Sequence, residues 1–253
     1  MVRGFYSVAA GVLNQQKSFN MISNNIANAS TAGFKNQGTI NSSFGDHLVS
    51  RMSSNKNLAE SNIGKGSFMT VNNSNYTDFS QGAMENTGRS VDLAIQGEGL
   101  FLVKTESNGE LLTRNGQFEI DKEGYLTLAG VGKVLNESKN PIKISNIDFT
   151  VDSSGSILVD GKVEEKLFIA SKGDEEKLKS AGNGGFKSEN ESVKEDAKNY
   201  SVMQGSLEKS NMNISEEMSK IIAGQNRYQS CTQILKIYDR INEITVNQIG
   251  RIG

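Results

Sequence analysis

Near its C-terminal end the chain places an apolar side chain every three or four residues. Ile214, Met218, Ile221, Ile222, Tyr228, Cys231, Leu235, Tyr238, Ile241 and Ile249 recur in this way over some 36 positions. That is the period of an amphipathic helix. Glu216 and Glu217 stand where a helix N-terminus favours acid, and Lys236, Arg240 and Arg251 lie toward the other end, in agreement with the helix dipole. A helix this long cannot bury its stripe inside a globule of 253 residues without a matching partner.

The opening segment is that partner. Positions 2, 5, 9, 12, 16, 19, 23 and 26 hold Val2, Phe5, Ala9, Val12, Gln16, Phe19, Ser23 and Ile26, six of them apolar, and Tyr6, Leu13 and Ile22 widen the stripe. Residues 1–45 carry only Arg3, Lys17 and Lys35 as charges. A helix facing bulk water usually carries ion pairs four residues apart, and this one has none to make. Its amide-rich outer face suits packing against neighbours that offer donors and acceptors. Ser30, Thr31 and Gly33 end the helix, two competing hydroxyls followed by a residue able to take positive φ, and Phe34 is expected to fold back onto it. Two helices alone make a thin seam, and isolated helices are marginal in water. The termini are therefore expected to be poorly ordered in the monomer and to settle in an assembly.

Residues 36–62 are rich in Ser and Asn and read as a connector. Beyond Ser67 the pattern changes to short apolar runs and alternation. Val91–Ile95 and Leu100–Val103 read as strands joined by Gln96-Gly97-Glu98-Gly99, and Leu111–Thr113, Gln117–Ile120 and Tyr125–Leu128 follow, with Asn108-Gly109 and Asn115-Gly116 as turn signals. An internal repeat appears 31 residues apart: Phe118-x-Ile120-Asp121-x-x-Gly124-x-Leu126-x-Leu128 matches Phe149-x-Val151-Asp152-x-x-Gly155-x-Ile157-x-Val159. Each copy predicts a hairpin, with an Asp to cap the turn and a Gly for positive φ. Residues 172–198 hold six Lys and seven acidic residues, which fits a solvated loop or a weak edge hairpin.

Composition excludes several function classes. The net charge of −2 offers no basic excess for nucleic acid or an anionic membrane. Cys231 is the single cysteine, so no intramolecular disulfide forms; Pro141 is the single proline, which leaves turns to the 26 glycines. No run approaches a membrane span. Arg3, the apolar run Gly4–Leu13 and Ala27-Asn28-Ala29 imitate a signal peptide, but Asn14–Lys17, Asn20, Asn24 and Asn25 make the stretch too polar, so export without cleavage is expected. Chemistry is equally sparse. His47 is the single histidine, Cys231 lacks a partner for a catalytic pair or zinc site, Gly97-Glu98-Gly99 lacks the third glycine of a dinucleotide loop, and Asp121 and Asp152 lack the remaining ligands of a calcium loop. No enzyme, cofactor or metal is expected.

Three motifs carry a resemblance. They are Asn24-Asn25-Ile26-Ala27-Asn28-x-x-Thr31-x-Gly33-Phe34-Lys35; Asp92-Leu93-Ala94-Ile95-x-Gly97-x-Gly99-x-Phe101 with Thr113-Arg114-x-Gly116-x-Phe118 and Asp121-x-x-Gly124-x-Leu126; and Gly205-x-Leu207-Glu208-x-Ser210-Asn211 leading to Glu217-Met218 and Tyr228. In this order they make the chain similar to the axial proteins of the bacterial flagellum, the rod and hook subunits, and most closely the basal-body rod proteins. Met212, where the family often has Val, and Arg227 immediately before Tyr228 depart from the pattern.

The resemblance implies an α+β fold whose N- and C-terminal helices pair in a coiled-coil-like inner domain, with an inserted, mainly antiparallel β domain outside. Residues 1–35 and 205–253 would form the helical assembly domain, 36–62 the connector and 63–204 the β-rich domain. The assembly interface is expected at Val2, Phe5, Val12, Phe19, Ile26, Asn28, Phe34, Ile214, Met218, Ile221, Tyr228, Leu235 and Tyr238. The implied partners are copies of the chain, other rod and hook proteins and the flagellar type III export apparatus, with neither nucleic acid nor membrane insertion. The implied role is a subunit of the periplasm-spanning rod, polymerised helically into a drive shaft. A hook subunit is the alternative within the family, and a secreted adhesin-like β protein the alternative outside it.

Overall fold

The computed structural model describes residues 2–44, 47–51, 61–66, 69–105, 109–145, 148–171, 178–182, 184–188, 197 and 199–249. The two periodic ends are helices, α1 (Val2–Ala27) and α2 (Ile214–Ile249). The chain divides into two compact units, one of residues 1–24, 37–76 and 214–253, the other of residues 25–36 and 77–213.

The first unit holds most of α1, all of α2 and four strands: β1 (Gln37–Phe44), β2 (His47–Arg51), β3 (Ser61–Gly66) and β4 (Met69–Thr77). β1 pairs with β4 and β2 with β3, each as a two-stranded sheet. The stretch read as a connector from its Ser and Asn content therefore carries strands. A two-stranded ribbon is held by its backbone hydrogen bonds and needs no buried apolar face, so it leaves little alternation to detect. The side chain of His47 lies outside the described residues.

The second unit is antiparallel in every ladder for which a register is defined. Its strands are β5 (Met84–Asn86), β6 (Leu93–Gly97), β7 (Leu100–Thr105), β8 (Glu110–Thr113), β9 (Phe118–Ile120), β10 (Leu126–Leu128) and β11 (Gly132–Val134). Then come β12 (Phe149–Val151), β13 (Ser156–Val159), β14 (Lys162–Lys166), β15 (Ile169–Ala170), β16 (Leu178–Gly182), β17 (Gly185–Ser188), β18 (Tyr200–Gln204) and β19 (Ser206–Glu208). An eight-stranded sheet runs β16-β17-β8-β7-β11-β10-β9, with β15 sharing one edge of β7. The charged segment thus supplies an edge hairpin over 178–188, Leu178 opposite Ser188. Within it, residues 172–177, 183, 189–196 and 198 lie outside the described ones.

β7 is buried on both faces, which explains its continuous apolar run. Phe101 and Val103 enter one cluster with Phe118, Leu126 and Ile142, while Leu100 and Leu102 enter another with Leu112, Leu135 and Phe186. Phe101 and Phe118 meet edge to face, with centroids 5.1 Å apart and planes at 81°. β6 and β7 are not paired with each other. β6 pairs instead with β18, from Leu93 opposite Gln204 to Gly97 opposite Tyr200.

The internal repeat is two hairpins of identical register. Phe118 faces Leu128 and Ile120 faces Leu126 in the first; Phe149 faces Val159 and Val151 faces Ile157 in the second. Asp121 Oδ1 accepts the N–H groups of Glu123 and Tyr125 at 2.9 and 2.8 Å, and Asp152 Oδ1 accepts that of Ser153 at 2.6 Å. Gly124 and Gly155 take φ of +86° and +82°, the left-handed turn position that disfavours a Cβ. Phe118→Ala would empty a fully buried site at the contact with Phe101. Urea unfolding should report a loss of about 3–5 kcal/mol, and an unchanged midpoint would contradict this placement of the core.

Candidate functional site

In the first unit α1 and α2 lie side by side. A Cβ at Gly4 would fall on the Tyr238 hydroxyl, one at Gly11 would sit 3.5 Å from Cys231 Sγ, and one at Gly224 would sit 2.8 Å from the Phe19 ring. The Phe19 and Tyr228 rings are 6.3 Å apart. As the α1 number rises the α2 number falls, so the helices run antiparallel, and three glycines allow their close approach. Asn14 fixes the adjoining ribbon: its amide donates to the Thr70 carbonyl and its oxygen accepts the Asn72 N–H at 3.0 Å.

In the second unit the three motifs meet at one buried cluster of charges. Lys35, Arg114 and Glu208 are 2%, 5% and 2% exposed. Glu208 Oε1 accepts Lys35 Nζ at 2.7 Å and the Gly82 N–H at 2.8 Å, and its Oε2 accepts Arg114 Nε at 2.5 Å. The remaining donors of the two cations find backbone. Lys35 reaches the Ser80 carbonyl at 2.7 Å, and the Arg114 guanidinium reaches the carbonyls of Ile95 at 2.8 Å, Gly97 at 2.6 Å and Gly99. Two cations thus share one carboxylate, and inward-facing carbonyl dipoles offset the excess positive charge.

The same place closes the chain. The Gly33 N–H donates to the Glu208 carbonyl at 2.7 Å, and the Asn36 N–H to Asn211 Oδ1 at 2.8 Å. Asn211 Nδ2 donates to the carbonyls of Asp78 and Ser80 at 2.9 and 3.1 Å. Gly33 takes φ of +66°, and a Cβ there would collide with the Arg114 backbone, so both conformation and space require glycine. The segment leaving α1 and the segment entering α2 are thereby fastened to each other within the β unit.

Burial pushes Glu208 upward, but the Arg114 charge and the hydrogen bonds from Arg114 and Lys35 outweigh it, and its pKa lies below the ordinary 4.5. Burial lowers Lys35 from 10.5, and Glu208 only partly compensates.

Of the residues expected at an assembly interface, Phe19, Tyr228 and Tyr238 are brought into the helix pair. Val12, Ile221 and Leu235 are half-buried, while Phe5, Ile214, Met218 and Tyr228 are exposed at 37%, 52%, 48% and 39%. The Val2 side chain lies outside the described residues. Ile26, Asn28 and Phe34 belong to the β unit, where Phe34 is 4% exposed and Asn28 Oδ1 accepts the Thr31 hydroxyl at 3.3 Å. The charge cluster was not anticipated. Its members stand 173 and 94 positions apart, beyond any local spacing. The available signal was that each of the three charges sits inside one of the three motifs.

This arrangement is that of a structural building block: one unit holds a helix pair, and the other is a closed β unit in which the segments following α1 and preceding α2 are tied together. The chain is similar over residues 94–163 to the D1 domain of the FlgE/F/G flagellar hook proteins, over 203–249 to the C-terminal region of the FlgEFG basal-body rod proteins, and over 7–35 to the flagella basal body rod proteins. It is 30% identical to the flagellar basal-body rod protein FlgG of Bacillus subtilis, covering 98% of this chain and 99% of that one. It is 26% identical to the flagellar hook-basal body complex protein FlhO of the same organism over the whole of both chains. It is also 26% identical to the rod protein FlgF of Caulobacter vibrioides, covering 94% of this chain and 93% of that one. The chain belongs to the flagellar rod and hook protein family, whose members are structural and not enzymatic.

Glu208→Gln would leave two buried cations without a counter-charge. Thermal unfolding should show a loss of about 3–5 kcal/mol, and wild-type stability would contradict the paired geometry. The pH dependence follows from the lowered pKa of Glu208. A depressed carboxylate contributes fully above its ordinary value of 4.5, and the contribution disappears as pH falls through the lower folded value. Acid unfolding of the wild type should therefore contain a step below pH 4.5 that Glu208→Gln lacks.

Proposed function

We propose that the chain is a subunit of the flagellar basal-body rod that polymerises helically into the drive shaft carrying torque from motor to hook. Its partners are copies of itself and other rod and hook proteins. It leaves the cell unfolded through the flagellar type III pathway with no segment cleaved, and it joins a tube that crosses the periplasm. The helices pair in a coiled-coil-like manner as the assembly domain.

The observation that carries this reading is the large apolar surface left on the helix pair. Tyr6, Leu13, Ile214, Met218, Ile222 and Ile237 are all between 48% and 61% exposed. A monomer seldom leaves so many large apolar side chains uncovered on two adjoining helices. The whole-length similarity to a rod protein supports reading that surface as an assembly surface. A heterologous contact that does not close produces a filament.

Phe19→Asp places a charge in the seam between the helices, at a cost on the order of 3–5 kcal/mol. Electron microscopy and sedimentation of the purified protein should show loss of polymer, while the β unit keeps its unfolding transition; normal polymer would sink the reading. Limited proteolysis of the monomer, with mass spectrometry of the survivor, should remove the helical ends and leave a core within residues 77–213. A chain resistant from end to end would mean that the helices are satisfied within one molecule.

A further inference from the structure

The buried charge cluster of the β unit borders a cavity of about 270 Å³, lined among others by Lys35, Arg114, Phe79, Leu100, Gln81 and Glu98. An ammonium carries three N–H donors and a guanidinium five. Lys35 directs two of them at Glu208 and the Ser80 carbonyl, and Arg114 directs four at Glu208 and the carbonyls of Ile95, Gly97 and Gly99. Each cation therefore keeps one donor without a partner among the described residues, and both side chains line the same cavity. Charge points the same way. Two cations on the one Glu208 carboxylate leave an excess of one positive charge. Burial disfavours the charged form of Lys35, the Arg114 charge adds to that, and Glu208 and Asp78 oppose it without restoring the ordinary value of 10.5.

The walls define what fits. Gln81 holds one of them in place: its Nε2 donates to the Ile95 carbonyl at 3.0 Å and its Oε1 accepts the Gly97 N–H at 3.2 Å. Phe79, half-buried with its ring 5.0 Å from that of Phe186, and the buried Leu100 supply apolar surface. Glu98 is exposed at the same cavity, and its charge opposes a ligand with more than one negative charge. Phosphate, sulfate and dicarboxylates are disfavoured for that reason. The volume lies below the range of about 300–1,000 Å³ that takes drug-sized ligands, which leaves a molecule of a few heavy atoms. Lys35 and Arg114 already bracket one carboxylate, at 2.7 and 2.5 Å, so their spacing matches the two oxygens of another.

We propose that the cavity is a binding site for a small monocarboxylate, whose oxygens accept the remaining Lys35 and Arg114 donors while its hydrocarbon end lies against Phe79 and Leu100. The ligand balances the cluster, with Lys35 and Arg114 set against Glu208 and the bound carboxylate. It adds a tie at the point where the segments following α1 and preceding α2 meet, so binding stabilises the β unit. The site lies wholly within residues 25–36 and 77–213 and does not depend on the subunit reading. Its failure leaves that reading standing.

The test uses the full-length protein and sodium acetate. Saturation-transfer NMR should carry magnetisation from the protein to the acetate methyl protons. The melting temperature should rise with acetate beyond its rise in sodium chloride of equal ionic strength. Lys35→Met leaves Arg114 and Glu208 as a one-to-one pair and should weaken acetate about tenfold or more. Glu98→Gln changes an exposed position; it should keep the melting temperature without acetate and bind acetate more tightly. N-acetylglycine separates two sources of the carboxylate. Displacement of acetate by it, and not by N-acetylglycinamide, supports the site with a chain terminus as ligand, and no displacement supports it with a free acid. Displacement by the amide overturns the proposal. So does a wild type without transfer to acetate, a thermal shift that sodium chloride reproduces, or a folded Lys35→Met with unchanged affinity; the cavity then holds water. Where Lys35→Met does not fold, Glu98→Gln decides: affinity no higher than the wild type overturns the site.

Discussion

A single carboxylate holds the β unit closed. Glu208 is the last residue of β19, and its two oxygens take Lys35 from the segment after α1, Arg114 from the end of β8 and a backbone N–H at Gly82. Replacing such a triad with apolar side chains of the same volume is often neutral or better for stability. Its effect is on alternatives. Any other pairing of these segments would strand a buried charge, at a cost of about 3–5 kcal/mol. The remaining guanidinium and ammonium donors are directed at carbonyls of residues 80, 95, 97 and 99, so the triad also fixes where the chain turns between β6 and β7. Gly33 and Asn211 add backbone-level fasteners at the same point.

The fastening has a geometric consequence for a chain whose two ends leave the same β unit. The N-terminal exit passes Gly33, Lys35 and Asn36, and the C-terminal exit passes Glu208 and Asn211, all tied by hydrogen bonds of 2.7 to 2.8 Å. The two exits are thereby cross-linked to each other at one point within the β unit. The core of that unit is complete without help: Leu93, Ile95, Phe101, Val103, Phe118 and Leu126 are all fully buried.

Much of this was legible because local periodicity reports local structure. The helices followed from their stripes. The hairpins at 118–128 and 149–159 followed from matching Asp and Gly positions, down to register. Pairing between distant segments was not legible. Alternation in Leu93–Gly97 shows that the segment is a strand, but nothing in it points to Tyr200–Gln204 as the partner. The ribbon of β1 to β4 was hidden by its polar composition, and the charge triad by the distance between its members. Phe34, expected to turn back on the helix, is buried in the unit that also holds the last turn of α1.

The most instructive difference lies in α2. Read as one stripe, its apolar residues include Ile241 beside Tyr238. The structure separates them, because α1 meets Gly224, Tyr228, Cys231 and Tyr238 and leaves Ile234, Ile237, Ile241 and Ile244 facing outward. A helix with one apolar face needs one neighbour and a helix with two such faces needs two, and among the described residues the second face of α2 stays exposed. The same holds for α1, where Tyr6 and Leu13 lie opposite the contact with α2. The β unit is finished within the chain and the helix pair is not. The two helices differ in charge: residues 1–45 hold three charged side chains, whereas α2 carries eight. Low charge on α1 removes the repulsion and desolvation that would oppose covering its outer face, so that face costs less to bury than a solvated helix would.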